Sequence, residues 1–328
     1  MLTLGHSPDG AEVRQITLSA GGLTAQVLTY GATLQSLRCD GLAHSLVLGS
    51  PALPAYFADM HHFGAIVGPV ANRIAGGQFK LDGVTHRLER NENNRNTLHG
   101  GATGFHARNW ELAEHGPAHC ILTTTQTGGL GGFPGDLRVA ARYGLGADRI
   151  LTIDITGQAR ALALFNPAFH GYWNLDGSPD LAGHTLVVTA DSYLPLDAHQ
   201  IPRGSPRPVH DTRFDYRRPR PPHPELDHNF CLADRRGPLR RAAEIAASGH
   251  RLTLDTTEPG LQVYAAGQTT SGNWPGHEGM PHGPNAGIAL EPQLWPDAPN
   301  RPDFPPARIE PGQQITQSAR FQFLRATS

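Results

Sequence analysis

The sequence predicts an all-β protein, a large antiparallel β-sandwich with few short helices. Three observations carry that expectation. Apolar and polar residues alternate with period two over many short stretches. The 38 glycines and 28 prolines, about a fifth of the chain, lie spread between those stretches as turn residues rather than massed in low-complexity tracts. Convincing helix caps are missing even where composition would suit a helix.

Taken in order, the first strands are Ile16–Leu18, Leu23–Tyr30 and Ser45–Leu48. Leu137, Val139, Ala141 and Tyr143 then interleave with Arg138, Ala140 and Arg142, and Leu151, Ile153 and Ile155 with Thr152, Asp154 and Thr156. Such alternation marks strands with one buried face. His184–Thr189 and Arg251–Leu254 repeat it between Gly, Pro, Asp and Asn clusters. Leu239–Ala247 has a helical composition but no cap and lies between strand signals, so it reads as a strand. Pro202–Pro224, rich in Pro and Arg, reads as a long loop. Strand patterning continues on both sides of it, so residues 1–328 are expected to form one domain. No fixed-period repeat supports a propeller or a solenoid.

Composition excludes several function classes. A formal net charge of −2 gives no pull toward nucleic acid or anionic lipid. Cys39, Cys120 and Cys231 are too far apart to read as a disulfide framework or a metal knuckle. The amino terminus lacks a charged start followed by an apolar run, and no apolar stretch approaches membrane-spanning length, so a cytoplasmic location is expected. GxSxG, GxGxxG and GxxxxGK[ST] patterns are missing, which argues against serine hydrolase, dinucleotide and P-loop chemistry. His61-His62 reads as a poor metal pair, because adjacent residues on a strand point to opposite faces.

Two segments carry the chemistry. Phe165–Leu175 sets His170 among Phe169, Tyr172, Trp173 and Asn174, and Ala289–Asn300 delivers Glu291 from the apolar run Ile288-Ala-Leu. A histidine and a carboxylate, each expected on a short apolar strand that meets a polar turn, suit a proton donor and acceptor facing one small substrate. Aromatic neighbours suit a sugar, whose C–H faces pack on rings while its hydroxyls need polar partners. Asn72-Arg73 offers an amide and a planar guanidinium for adjacent hydroxyls. His99 precedes Gly100-Gly101, which would leave the imidazole open to close approach. Asp227-His228-Asn229 combines acceptor and donor groups, Gln262 follows a turn and faces core or cleft, and Glu258 beside Pro259-Gly260 reads as a turn residue.

Together these segments resemble the aldose 1-epimerases, the galactose mutarotase family. Tyr30-Gly-Ala-Thr, Val47-Leu-Gly49, Ala190–Asp197, Ile201–Gly204 and Pro299–Phe304 extend the likeness over nearly the whole chain in the family's order. The resemblance implies a β-supersandwich that interconverts the α and β anomers of free hexoses such as galactose and glucose, with no cofactor and no metal. It implies Glu291 as general base, His170 as general acid and His99 as second active-site histidine. Asn72, Arg73, Tyr172, Asp227 and Gln262 would hold the sugar. Pro69, Pro167, Ala168, Gly171, Trp173 and Pro292 depart from the family's usual residues, which bears on sugar preference more than on reaction type. The expected partner is a small hexose, with neither nucleic acid nor membrane, and the expected state is a monomer or weak homodimer.

Three other readings stay open on the residues. A hexose 6-phosphate would want a cationic anchor, for which Arg217, Arg218 and Arg220 are candidates. Asp227 and Glu291 could serve as the two carboxylates of a glycosidase. A carbohydrate-binding domain would keep the fold without catalysis.

Overall fold

The computed structural model describes residues 1–325. An eight-stranded antiparallel sheet runs in the order Glu111–His115, His119–Gln126, Leu137–Gly146, Ile150–Ala159, Gln314–Leu324, His250–Thr256, Arg240–Ala247, Thr185–Val188. A six-stranded sheet runs Tyr172–Trp173, Ile288–Gln293, Gly260–Tyr264, Asp227–Cys231, Ser192–Tyr193, Arg207–Pro208. Four strands between Leu2 and Cys39 form a third sheet. Among the described residues there is no α-helix, only six 3₁₀ turns, so no helix is long and apolar enough to cross a membrane.

The alternation read from the sequence is the burial pattern of the large sheet. Leu137, Val139, Ala141 and Tyr143 are buried, and so are Leu151, Ile153 and Ile155, while Arg138 and Arg142 face solvent. The helix-like Leu239–Ala247 stretch contributes the strand Arg240–Ala247. Its neighbours Thr185–Val188 and His250–Thr256 offer backbone partners on both edges, which overrides helix propensity. Ser45–Leu48, by contrast, forms only isolated bridges from Ser45 to Arg38 and from Val47 to Trp173. The loop 202–224 holds one two-residue strand, Arg207–Pro208.

One hydrophobic cluster extends from Ile16 to Phe323. Trp173 is fully buried in it, with its ring centroid 4.6 Å from that of Phe321 on the large sheet. Each such buried side chain contributes roughly 1.5–3 kcal/mol. The segment bearing His170 is therefore anchored in the core three residues on, where Tyr172–Trp173 joins the six-stranded sheet.

Candidate active site

Side chains alternate along a strand and align across paired strands, so register decides which residues share a face. Tyr172 lies opposite Ala289, Gln262 opposite Glu291, and Asp227 opposite Tyr264. Four neighbouring strands thus present Tyr172, Glu291, Gln262, Tyr264 and Asp227 on one side. All of these except Gln262 line a cleft of about 530 Å³, together with His62, Asn72, Arg73, His99 and His170. Gln262, on the same side, donates its amide to Asp227 Oδ1 and holds that carboxylate in place.

The opposite wall is built on the short pairing of Arg73–Ile74 with Thr97–Leu98. Asn72 and His99 flank it with φ of 60° and 54°, and they bind each other. The Asn72 N–H donates to His99 Nδ1, and the His99 N–H donates to the Asn72 carbonyl, both at 3.1 Å. Gly100, at φ +87°, serves this geometry rather than access to the imidazole, because a Cβ there would lie 2.1 Å from the Gly68 carbonyl oxygen. Arg73 is held by Glu92, whose carboxylate takes Nε at 2.9 Å and Nη2 at 2.8 Å. Its Nη1 lies 3.9 Å from Asp227. One guanidinium edge is thus spent on the protein and the other faces the cleft.

His170 occupies the break between Ala168–Phe169 and Tyr172–Trp173 rather than a strand, and Glu291 lies within its strand rather than at its end. The two meet with His170 Nε2 3.5 Å from Glu291 Oε1. Both are almost wholly buried, at 4% and 2% exposure, and Glu291 Oε2 has no hydrogen-bond partner. Burial pushes the Glu291 carboxyl well above the usual carboxylate range; the neighbouring Asp227 adds to this and Arg73 opposes it. Burial lowers His170 to about 4. Asp227 is also raised by burial, against the pull of Arg73. His99 lies well below the usual histidine value, through burial and then the nearby His170.

His99, His170 and Glu291 each present one ligand atom within 4.8 Å of the others, a spacing open to a metal ion. The Asn72 N–H bond disfavours that use. It occupies the lone pair of His99 Nδ1, so neutral His99 carries its proton on Nε2, which is then a donor rather than a ligand.

Several residues differ from their sequence reading. His61 and His62 lie in a turn, not on a strand, and their ring centroids are only 4.1 Å apart. His62 lines the cleft, and the sequence reading set it aside on the strand argument. Glu258 does lie in the turn between His250–Thr256 and Gly260–Tyr264, but it is fully buried there and paired with Arg236 at 2.9 Å, which the sequence did not signal. Arg217, Arg218 and Arg220 line a separate surface cleft with Asp215, and Arg217 pairs with Asp215 and Asp191. Glu92, in a turn crowded with asparagines, gave no sequence signal; only its ion pair reveals it.

The sequence pattern described as aldose 1-epimerase matches residues 14–322. The galactose mutarotase of Rattus norvegicus is 35% identical, over 97% of this chain and 96% of its own. The aldose 1-epimerase of Escherichia coli K12 is 31% identical, over 97% of each. Among solved structures, a C. elegans aldose epimerase homologue is 28% identical with a TM-score of 0.89, over 96% of this chain and all of its own. A galactose 1-epimerase from Lactobacillus acidophilus is 26% identical with a TM-score of 0.84, over 99% of this chain and 98% of its own. The chain belongs to the aldose 1-epimerase family, whose members are isomerases acting on sugars.

Proposed function

We propose that the protein interconverts the α and β anomers of free hexoses, galactose and glucose among them, with Glu291 as base and His170 as acid. The 3.5 Å approach of these two buried groups carries the reading. Ring opening takes a proton from the C1 hydroxyl and gives one to the ring oxygen. Glu291 accepts the first as His170 delivers the second, and the C1–O5 bond breaks to leave the open aldehyde. Rotation about C1–C2 followed by closure reverses both transfers. The pair holds one proton before and after each step, on His170 when the ring is closed and on Glu291 when it is open. In the free protein burial favours the proton on Glu291, so the working arrangement, with it on His170, is the less favoured of the two, and the transfer relieves it.

His99, as an Nε2–H donor, supports the ring oxygen beside His170. Arg73 and Asp227 hold hydroxyls, Asn72 fixes His99, Gln262 fixes Asp227, and Tyr172 packs against the sugar. Among the described residues Arg73 is the one lysine or arginine lining the cleft, and it is already shared between Glu92 and Asp227; the rim adds Gln200, Glu225, Gln268 and Asn285. A phosphate would find no free cation there, which favours an unphosphorylated hexose. The core cluster drawn from Ile16 to Phe323 supports one domain. Polarimetry of freshly dissolved α-galactose and α-glucose, with and without the protein, tests the reading. Equal rates would end it.

A further inference from the structure

His62 is absorbed by none of the roles above, yet it lines the cleft against two of the residues that carry them. Its ring lies 5.6 Å from that of His170 at 26°, near-parallel, and 4.7 Å from that of His99, edge on. His99 and Tyr172 complete the surround of His170, at 5.1 Å and 5.0 Å. The imidazole that must become a cation during turnover thus has three rings around it, of which His62 is the near-parallel one, and a ring face attracts a cation as long as the ring itself is neutral.

We propose that His62 is a positioning residue for His170: its neutral ring supplies a π face to the His170 imidazolium, and protonation of His62 withdraws that support. The proposal rests on the acid role of His170. The groups bearing on His62 are His61 beside it, His99 after the Thr97–Leu98 strand, His106 in the 3₁₀ turn Phe105–Ala107, and His170. Arg73 acts on His99, Arg108 on His106, and Glu291 stands against His170. His99 is committed to neutrality by the Asn72 N–H, so of the three histidines lining the cleft only His62 and His170 can take a further proton. Burial and the surrounding histidines keep His62 well below the usual value, which leaves it neutral at pH 7.

The test compares His62→Gln, which removes the aromatic face, with His62→Phe, which keeps a face that cannot be protonated. In polarimetry on galactose, His62→Gln should lower kcat about two- to fivefold at pH 7, more than it raises KM, the span of an ordinary cation–π contact. His62→Phe should recover kcat and carry activity to lower pH than wild type. A His62→Phe enzyme no better than His62→Gln, or with an unchanged acid limb, overturns the proposal. Imidazole ¹³C NMR of the wild type guards against folding defects: His62 and His170 should titrate as a coupled pair, and independent titrations overturn it. His170→Asn is assayed alongside. If it were fully active, the acid role itself would fail, whatever the His62 variants did.

Discussion

Removal of Glu92 should weaken sugar binding although Glu92 does not line the cleft. Its carboxylate binds Arg73 through Nε and Nη2, with the two side chains 18% and 11% exposed, and it also accepts from Asn96 Nδ2 at 3.2 Å. In Glu92→Ala the guanidinium keeps only the 3.9 Å approach to Asp227 and is free to swing onto that carboxylate. Both hydroxyl-holding groups would then be turned toward each other. A charge-assisted bond in a poorly solvated site contributes about 1.5–3 kcal/mol, and partial exposure trims the upper end. The apparent affinity for galactose should therefore fall roughly 10- to 100-fold, with a smaller loss in kcat. Glu92→Gln, which retains one acceptor, should fall between. Polarimetric KM and calorimetric titration both read the effect. Affinity within twofold of wild type in Glu92→Ala would show that Arg73 does not hold the sugar in the orientation Glu92 imposes.

Further outcomes follow from the same geometry. Truncating Asp227 or Arg73 to Ala should weaken hexose affinity by roughly 5- to 150-fold, the span of one unsatisfied polar partner, read as KM or calorimetric Kd. His170→Asn should lower kcat far more than affinity, since proton delivery to the ring oxygen matters in the transition state; single-turnover rates beside binding isotherms separate the two. The pH profile follows from the one-proton pair. Because burial holds His62 well below the usual histidine value and His170 at about 4, a second proton is added, and activity lost, only well below pH 6.5; because Glu291 is raised, the remaining proton and the activity persist above the usual carboxylate range. An acid limb centred near 6.5 in protein shown by fluorescence to be folded would contradict this.

Strand positions were legible wherever one face is buried, as at Leu137–Tyr143, because alternation there is the burial pattern itself. Ser45–Leu48 reads the same way but makes only bridges, since pairing depends on a neighbour that sequence does not supply. His170 and Glu291 stood out because their neighbours are unusual. Glu92 did not, because its role lies in an ion pair with a residue 19 positions away. His62 was set aside because the alternation rule for strands does not hold in a turn, where adjacent rings can pack together. For Gln262 the sequence left core and cleft open; strand register puts it on the side of Glu291, and its amide is bound to Asp227.

The central claim is that Glu291 carries the proton of the C1 hydroxyl. Glu291→Gln keeps the size and the hydrogen-bonding capacity of the side chain and removes its basicity. Polarimetry of α-galactose should show mutarotation lowered by at least ~10²-fold, with the circular dichroism of the fold retained. Activity within a few-fold of wild type in that variant would remove Glu291 from the mechanism and contradict the account.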